Sequence, residues 1–447
     1  MSPKFAARLE LARAVGGALI VPLRYLVHRF GRAKEMERIA EEVRAGAGRL
    51  DEAASAELPQ DRPLRIFLCA AEASGEIHAA SLAKEIRRRA KEAGAPEPII
   101  TAIGGDRLRA LGIETIEDPV ARAQTGFDGV LQSLPYYVGV LEHGARHVQE
   151  TAPDVVVPVD SPALHVPLAR MARRYGAPIV HLVAPQYWGW APWRVGPYAK
   201  AVDLALTILP HEPAWFARHS VNTRHVGHPL LDALANVPVT RPKPESKTLA
   251  LLPGSRAGAI RRNLPWMLGA LSELLRTDPE IEVAVLQSDP EHRELIEKLL
   301  AENAAPGLPA PRLVIGELHA QLAEARAAFA VSGTILTDVL HHRLPAVCVY
   351  RINKRLESWM YRNVLTCPFF ASTNLLAGRE VIPEHCFRGE GPVQETAKQL
   401  MDIWKDGPIR DRMMEGLEDA AERLGPAGAI GRAAGHVLRV ASGAPEA

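Results

Sequence analysis

A chain of 447 residues exceeds what one ordinary core supports, so two domains are expected. Hydrophobic residues make up 47% and charged residues 23%, a globular composition without low-complexity tracts. The 53 basic and 52 acidic residues leave a formal charge of +1, which argues against nucleic-acid binding by bulk phosphate neutralisation.

Residues 1–60 predict a helical extension. Ala14 to Val27 is apolar but short of the roughly 20 residues a spanning helix needs, and it carries Pro22 and Arg24. Residues 1–35 hold seven Lys/Arg against Glu10 and Glu35. Such a segment suits the interface of an anionic membrane. It equally suits an amphipathic helix packed on this chain or on a second copy, and both readings stand. Residues 36–60 read as a charged, alanine-rich helix followed by a linker.

From Leu64 short apolar runs alternate with longer amphipathic stretches. Strands are predicted at 64–70, 98–103, 154–159, 178–183 and 203–208, with helices such as 76–93 and 163–175 between them. Strands apolar throughout, alternating with helices, mark a parallel sheet covered on both faces. The proline-rich segment 236–247 reads as a linker, and a second series follows at 248–253, 282–287, 312–315, 328–332 and 346–350. The expected fold is α/β, with two doubly wound Rossmann-like domains at 61–238 and 246–430 and a cleft between them. Cys69 and Cys348 fall inside predicted strands, where a thiol is a small hydrophobe, and no cysteine pair has metal-site spacing.

In open α/β sheets ligands bind beyond the carboxyl ends of the strands. Unusual polar groups recur there: AAEASGEIHAA (70–80), Asp160 in VDSPALH, APQYWGWAPWR (184–194), Gly254-Ser255-Arg256 and Ser332-Gly333-Thr334. Transfer from a nucleotide-activated donor fits them. Two small-residue turns lead into helices whose N–H groups suit a diphosphate, and Arg256 adds a fixed charge. A surface ion pair is the plainer role for Arg256. Asp160 can accept a proton from an acceptor hydroxyl or cap the helix that follows it. His228 in GHPLLD can contact phosphate or order its loop as a neutral ring.

The same strings resemble the lipid-A-disaccharide synthase family. AAEASGEIHAA resembles that family's opening AGExSGDxxGA, and IGGDRLRALGIE (103–114) the segment after it. APQYWGWAPWRV, LPHEPAWF, VGHPLLD, LLPGSR, SGTILTD and STNLLAGRE follow in family order from about residue 64 to 430. The resemblance implies a GT-B glycosyltransferase that inverts the anomeric centre and needs no metal or other cofactor. It would join UDP-2,3-diacylglucosamine to 2,3-diacylglucosamine-1-phosphate, giving a β-1,6 disaccharide and UDP. Asp160 then matches the general base, and Arg256 and Asn374 match residues near the UDP. Asp338 stands where a glutamate binds the ribose, and Glu72, Ser74 and Gly75 form the first loop near the acceptor. The resemblance also suggests a homodimer, and a cytoplasmic enzyme held peripherally at the inner membrane through the apolar stretch 126–141. Trp266 and Met267, beside Arg261 and Arg262, are expected to extend that apolar surface.

Departures from the family pattern include Ala71, Glu76, Ala79, Thr125, Gly129, Ala163 and Ala259, of which Ala163 and Ala259 each replace a carboxylate. They leave open the exact donor and acceptor. Two other readings remain: a UDP-sugar epimerase of similar fold, and a diverged homologue that binds nucleotide or lipid without turnover.

Overall fold

In the computed structural model the apolar runs pair into two wholly parallel sheets. The structure describes residues 2–46, 48–52, 56–122, 127–352 and 354–444, leaving aside the side chains of 22, 127–133 and 356. The chain forms two compact units. The first comprises Met1–Lys34, Ala47–Asp232 and Pro426–Ala447, and the second Glu35–Gly46 and Ala233–Gly425.

The first unit holds β1 (Arg65–Ala70), β2 (Ile99–Ile103), β3 (Glu114–Glu117), β4 (Val155–Val159), β5 (Val180–Leu182), β6 (Leu204–Thr207) and β7 (Thr223–His225). Their order is β3-β2-β1-β4-β5-β6-β7. The order reverses direction between β1 and β4, so the loops after those two strands diverge to opposite faces and open a crevice at their carboxyl ends. All five residues of β4 are buried, as expected of a central strand covered by helices on both sides.

The second unit contains β8 (Thr248–Leu252), β9 (Glu282–Gln287), β10 (Arg312–Ile315), β11 (Ala327–Val331), β12 (Ala346–Arg351) and β13 (Glu384–Phe387). Their order is β10-β9-β8-β11-β12-β13, with the switch between β8 and β11. Cys69 in β1 and Cys348 in β12 are fully buried free thiols, and burial pushes both thiol pKa values up.

Two helices, Pro3–Leu19 and Val21–Ala45, form the N-terminal region. The first packs on this chain, against the helices Phe127–Thr151 and Pro162–Arg173. Ala6 and Ala7 are buried there, and the buried Glu10 carboxylate accepts from Arg170. At the other end, the helix Ala429–Ala441 belongs to the first unit and lies on the helix Ala73–Glu92. Asp232 fixes it by accepting from the N–H groups of Ala429 (3.0 Å) and Ile430 (2.7 Å) at its start.

One sequence expectation fails. Trp266 and Met267 are buried rather than presented on a surface. The Trp266 ring stands 4.4 Å from Phe387 and 6.2 Å from Phe329, and its indole N–H donates to the Glu390 carbonyl. The helix Ala257–Thr277 uses both residues on its core-facing stripe.

Candidate active site

In the first unit the site is built at the ends of β1 and β4. The strand β4 ends in a pair of left-handed non-glycine residues, Asp160 at φ 54° and Ser161 at φ 44°, ψ 59°. Each such residue costs about 1–2 kcal/mol, and strain of this kind collects at functional sites. Val183, just past β5, is left-handed as well, at φ 59°. The helix Pro162–Arg173 starts at once after the elbow, with proline at its first position. Asp160 is not that helix's cap: Ser161 occupies the position and makes no side-chain capping bond.

The first loop meets this elbow directly. Glu72 is the exposed N-cap residue of the helix Ala73–Glu92, and its carboxylate lies 3.5 Å from the Ser161 hydroxyl. Ser74 is exposed beside it, and Gly75 is buried. A Cβ on Gly75 would stand 3.2 Å from the Val159 carbonyl oxygen, so glycine lets the loop close on the end of β4. Burial, with the nearby Glu72 charge, raises the Asp160 pKa above the ordinary carboxylate value. A base held there has greater proton affinity than a solvated aspartate.

Two other motif residues have local duties. Glu76 is buried and accepts from the N–H groups of Arg107 (3.0 Å) and Leu108 (3.3 Å), holding the segment after β2. His228 accepts at Nδ1 from the Leu230 N–H, 3.2 Å away, which leaves Nε2 as its donor. Burial and the neighbouring His78 push its pKa down to about 4, so the ring is neutral.

In the second unit, Gly254 at φ 114° turns the chain from β8 into the helix Ala257–Thr277. Ser255 and Arg256 are exposed at that helix's start, and no acidic residue stands in its first turn. Among the described residues no carboxylate pairs with Arg256, so the surface ion pair considered for it is not formed. The turn after β11 places Gly333 at φ 153° and Thr334 exposed, while the Ser332 hydroxyl donates to the Phe370 carbonyl at 2.7 Å. Asp338 lies one turn further on, with His319 Nε2 3.9 Å from its carboxylate, and burial pushes it up to about 6.

Asn374 departs from the ligand-contacting role expected of it. It is fully buried, and its amide nitrogen donates to the Ile382 carbonyl (2.8 Å) and to Glu384 (3.1 Å). Its oxygen accepts from the N–H groups of Val381 (2.8 Å) and Ile382 (2.9 Å). Both donors and both lone pairs are used, leaving nothing for a ligand. Glu384, which sequence reasoning missed, also accepts from Ala371 N–H at 2.8 Å and so ties Asn374 to the segment that holds Ser332.

The substitutions Ala163 and Ala259 fall on an exposed and a half-exposed position near helix starts. Among the described residues, no group of three or more His, Cys, Asp or Glu side chains is placed to hold a metal ion.

Similarity in fold alone does not choose an activity. The glycotransferase of kitacinnamycin is matched with a TM-score of 0.54 at 14% identity, over 85% of this chain and 99% of that one. A putative UDP-N-acetylglucosamine 2-epimerase from Listeria monocytogenes gives a TM-score of 0.52 at 13% identity, over 83% and 94%. Sequence separates these possibilities. The model of the lipid-A-disaccharide synthetase family matches residues 66–422. The chain belongs to that family. A lipid-A-disaccharide synthase from Myxococcus xanthus is 33% identical over 385 residues, covering 85% of this chain and 98% of the relative. One from Serratia proteamaculans is 32% identical, over 80% and 93%. This member of the lipid-A-disaccharide synthetase family is accordingly a UDP-sugar glycosyltransferase of lipid A disaccharide synthesis, built on the GT-B fold.

Proposed function

We propose that the chain transfers 2,3-diacylglucosamine from UDP to the 6-hydroxyl of 2,3-diacylglucosamine-1-phosphate, with inversion. The observation that carries this reading is the strained elbow that presents Asp160 beside the first loop. Asp160 takes the hydroxyl proton as the acceptor oxygen bonds to C1 of the donor sugar. The bond from C1 to the diphosphate oxygen breaks, and UDP leaves with the electron pair. Arg256 and the N–H groups at the start of the helix Ala257–Thr277 meet the charge that develops on the diphosphate. His228 donates from Nε2 to phosphate on the acceptor side. Asn374 frames the donor pocket and does not contact the ligand. Incubating both lipid substrates with the protein and weighing the product tests the reaction.

Asp338 is proposed to accept from the ribose diol, which requires its ionised form. With its pKa near 6, affinity for a UDP-sugar rises as pH increases from 5 to 7 and then levels. Without ligand the sign is opposite: the raised folded pKa means this group's contribution to stability declines as pH rises from 3.8 to about 6. Calorimetry with a UDP-sugar reads the binding effect, since the terminal phosphate of UDP itself titrates in this range. Asp338→Asn removes the rise and lowers affinity at pH 7.5. A wild-type affinity flat between pH 5 and 7 sinks the assignment.

Peripheral attachment to an anionic membrane surface is the proposed setting, through the N-terminal helices and the adjacent 126–141 stretch. Residue 126 and the side chains of 127–133 lie outside the described residues, and Val140 and Leu141 are core. Leu134, Tyr136 and Tyr137 are half-buried. Leu23, Val27 and Phe30, exposed by 64%, 68% and 84%, line one helix face near the exposed Arg29 and Lys34. Among the described residues no helix is long and apolar enough to cross a membrane. Sedimentation with phosphatidylglycerol-rich vesicles is expected to capture the protein at low salt, and replacing those three residues by serine releases most of it. Equal capture by neutral vesicles, or by the serine variant, contradicts the attachment.

A further inference from the structure

Behind Asp160 lies a buried polar pair that the proposed reaction does not use. His165, in the helix Pro162–Arg173, and His181, in β5, have 0% and 1% of their surface exposed. Both rings face one atom. Nδ1 of His165 lies 2.7 Å, and Nε2 of His181 3.0 Å, from the main-chain carbonyl oxygen of Asp160. A carbonyl oxygen only accepts, and it has two lone pairs. Each ring must therefore donate, which makes His165 the Nδ1–H and His181 the Nε2–H tautomer. Burial lowers the two pKa values to about 4 and about 3, so both rings are neutral at physiological pH.

The carbonyl they hold belongs to the strained elbow. The N–H of Asp160 still pairs with the Leu182 carbonyl at 2.9 Å, continuing the ladder between β4 and β5. Its own carbonyl, turned away by φ 54°, receives no backbone N–H among the described residues. The opposite nitrogens, Nε2 of His165 and Nδ1 of His181, are buried without a hydrogen-bond partner. Each such group costs about 1–3 kcal/mol, a penalty that apolar side chains of similar size avoid. Stability alone therefore does not account for two histidines here.

We propose that His165 and His181 clamp the Asp160 carbonyl, hold the residue left-handed and so aim its carboxylate at the acceptor hydroxyl. They are positioning residues, and the inference rests on Asp160 being the base. The clamp needs an N–H at one defined place on each side chain. An asparagine amide nitrogen reproduces the position of Nδ1, and a glutamine amide nitrogen that of Nε2.

The test compares His165→Leu and His181→Leu with His165→Asn and His181→Gln, in kcat, KM and unfolding midpoint, with Asp160→Asn alongside. Both leucine variants are expected to unfold no earlier than the wild type and to bind UDP normally. Their kcat falls about 10–100-fold, the scale of a catalytic group displaced by about 1 Å, with little change in KM. His165→Asn and His181→Gln stay within about threefold of wild-type kcat, because the N–H is restored. If a leucine variant fails to fold, the exchanged pair His165→Gln and His181→Asn takes its place, with the same expected loss. Wild-type kcat in the leucine or exchanged variants, with Asp160→Asn inactive, overturns the clamp and leaves the base intact. Folded Asn and Gln variants as impaired as the leucine ones also overturn it. An active Asp160→Asn removes the base, and the clamp with it.

Discussion

Asp160→Asn is expected to lower kcat by about 10²–10⁴-fold, the usual contribution of a general base, while UDP affinity stays within about twofold. Asparagine is the informative substitution because it tolerates the left-handed conformation as readily as aspartate. The elbow at φ 54° is thus preserved, and the amide oxygen cannot take the proton. Alanine would confound the result by adding backbone strain. The raised pKa of Asp160 gives a second signature. A base must be ionised, so activity declines on acidification through a value above that of a solvated aspartate. Transfer and UDP binding lost together would make the residue structural.

Asn374→Ala is expected to destabilise the second unit by about 3 kcal/mol, since it strips partners from the buried N–H and carbonyl of Ile382 and from the half-buried N–H of Val381. Glu384 loses an amide donor as well. Chemical denaturation monitored by tryptophan fluorescence reads the loss as an earlier midpoint with similar slope. A residue that instead touched the nucleotide would show the reverse, an unchanged midpoint with UDP binding weakened tenfold or more. That outcome would return Asn374 to the ligand surface.

Ten strands were legible from their apolar runs: nine are paired on both sides, and the edge strand β10, RLVI, is apolar enough to show. The three that were not, β3 (Glu114–Glu117), β7 (Thr223–His225) and β13 (Glu384–Phe387), are all sheet edges. An edge strand pairs on one side only, so ETIE, TRH and EHCF carry no apolar signal above a loop. The return of the helix Ala429–Ala441 to the first unit was equally hidden. It depends on Asp232 and on Arg432, which donates to the Val226 carbonyl at 2.8 Å, about 200 residues away in sequence.

For the candidate site, the placement of Asp160, Gly75 and Arg256 could be read, because strand ends and small-residue turns announce themselves. The duty of Asn374 could not, since an amide is as suited to a buried bracket as to a ligand. Glu384 was missed because it begins an edge strand. His181 did leave a trace, a lone polar ring within the apolar run PIVHLV, and His165 another on the apolar face of ALHVPLA. What neither trace revealed is that both rings meet at one carbonyl.

The most direct test of the proposed transfer is mass spectrometry of a reaction in detergent, without added metal. It contains UDP-2,3-diacylglucosamine and 2,3-diacylglucosamine-1-phosphate. The account predicts a disaccharide monophosphate that appears in step with UDP and disappears in Asp160→Asn. UDP bound with no disaccharide formed, or UDP-sugar consumed without the acceptor, would contradict it.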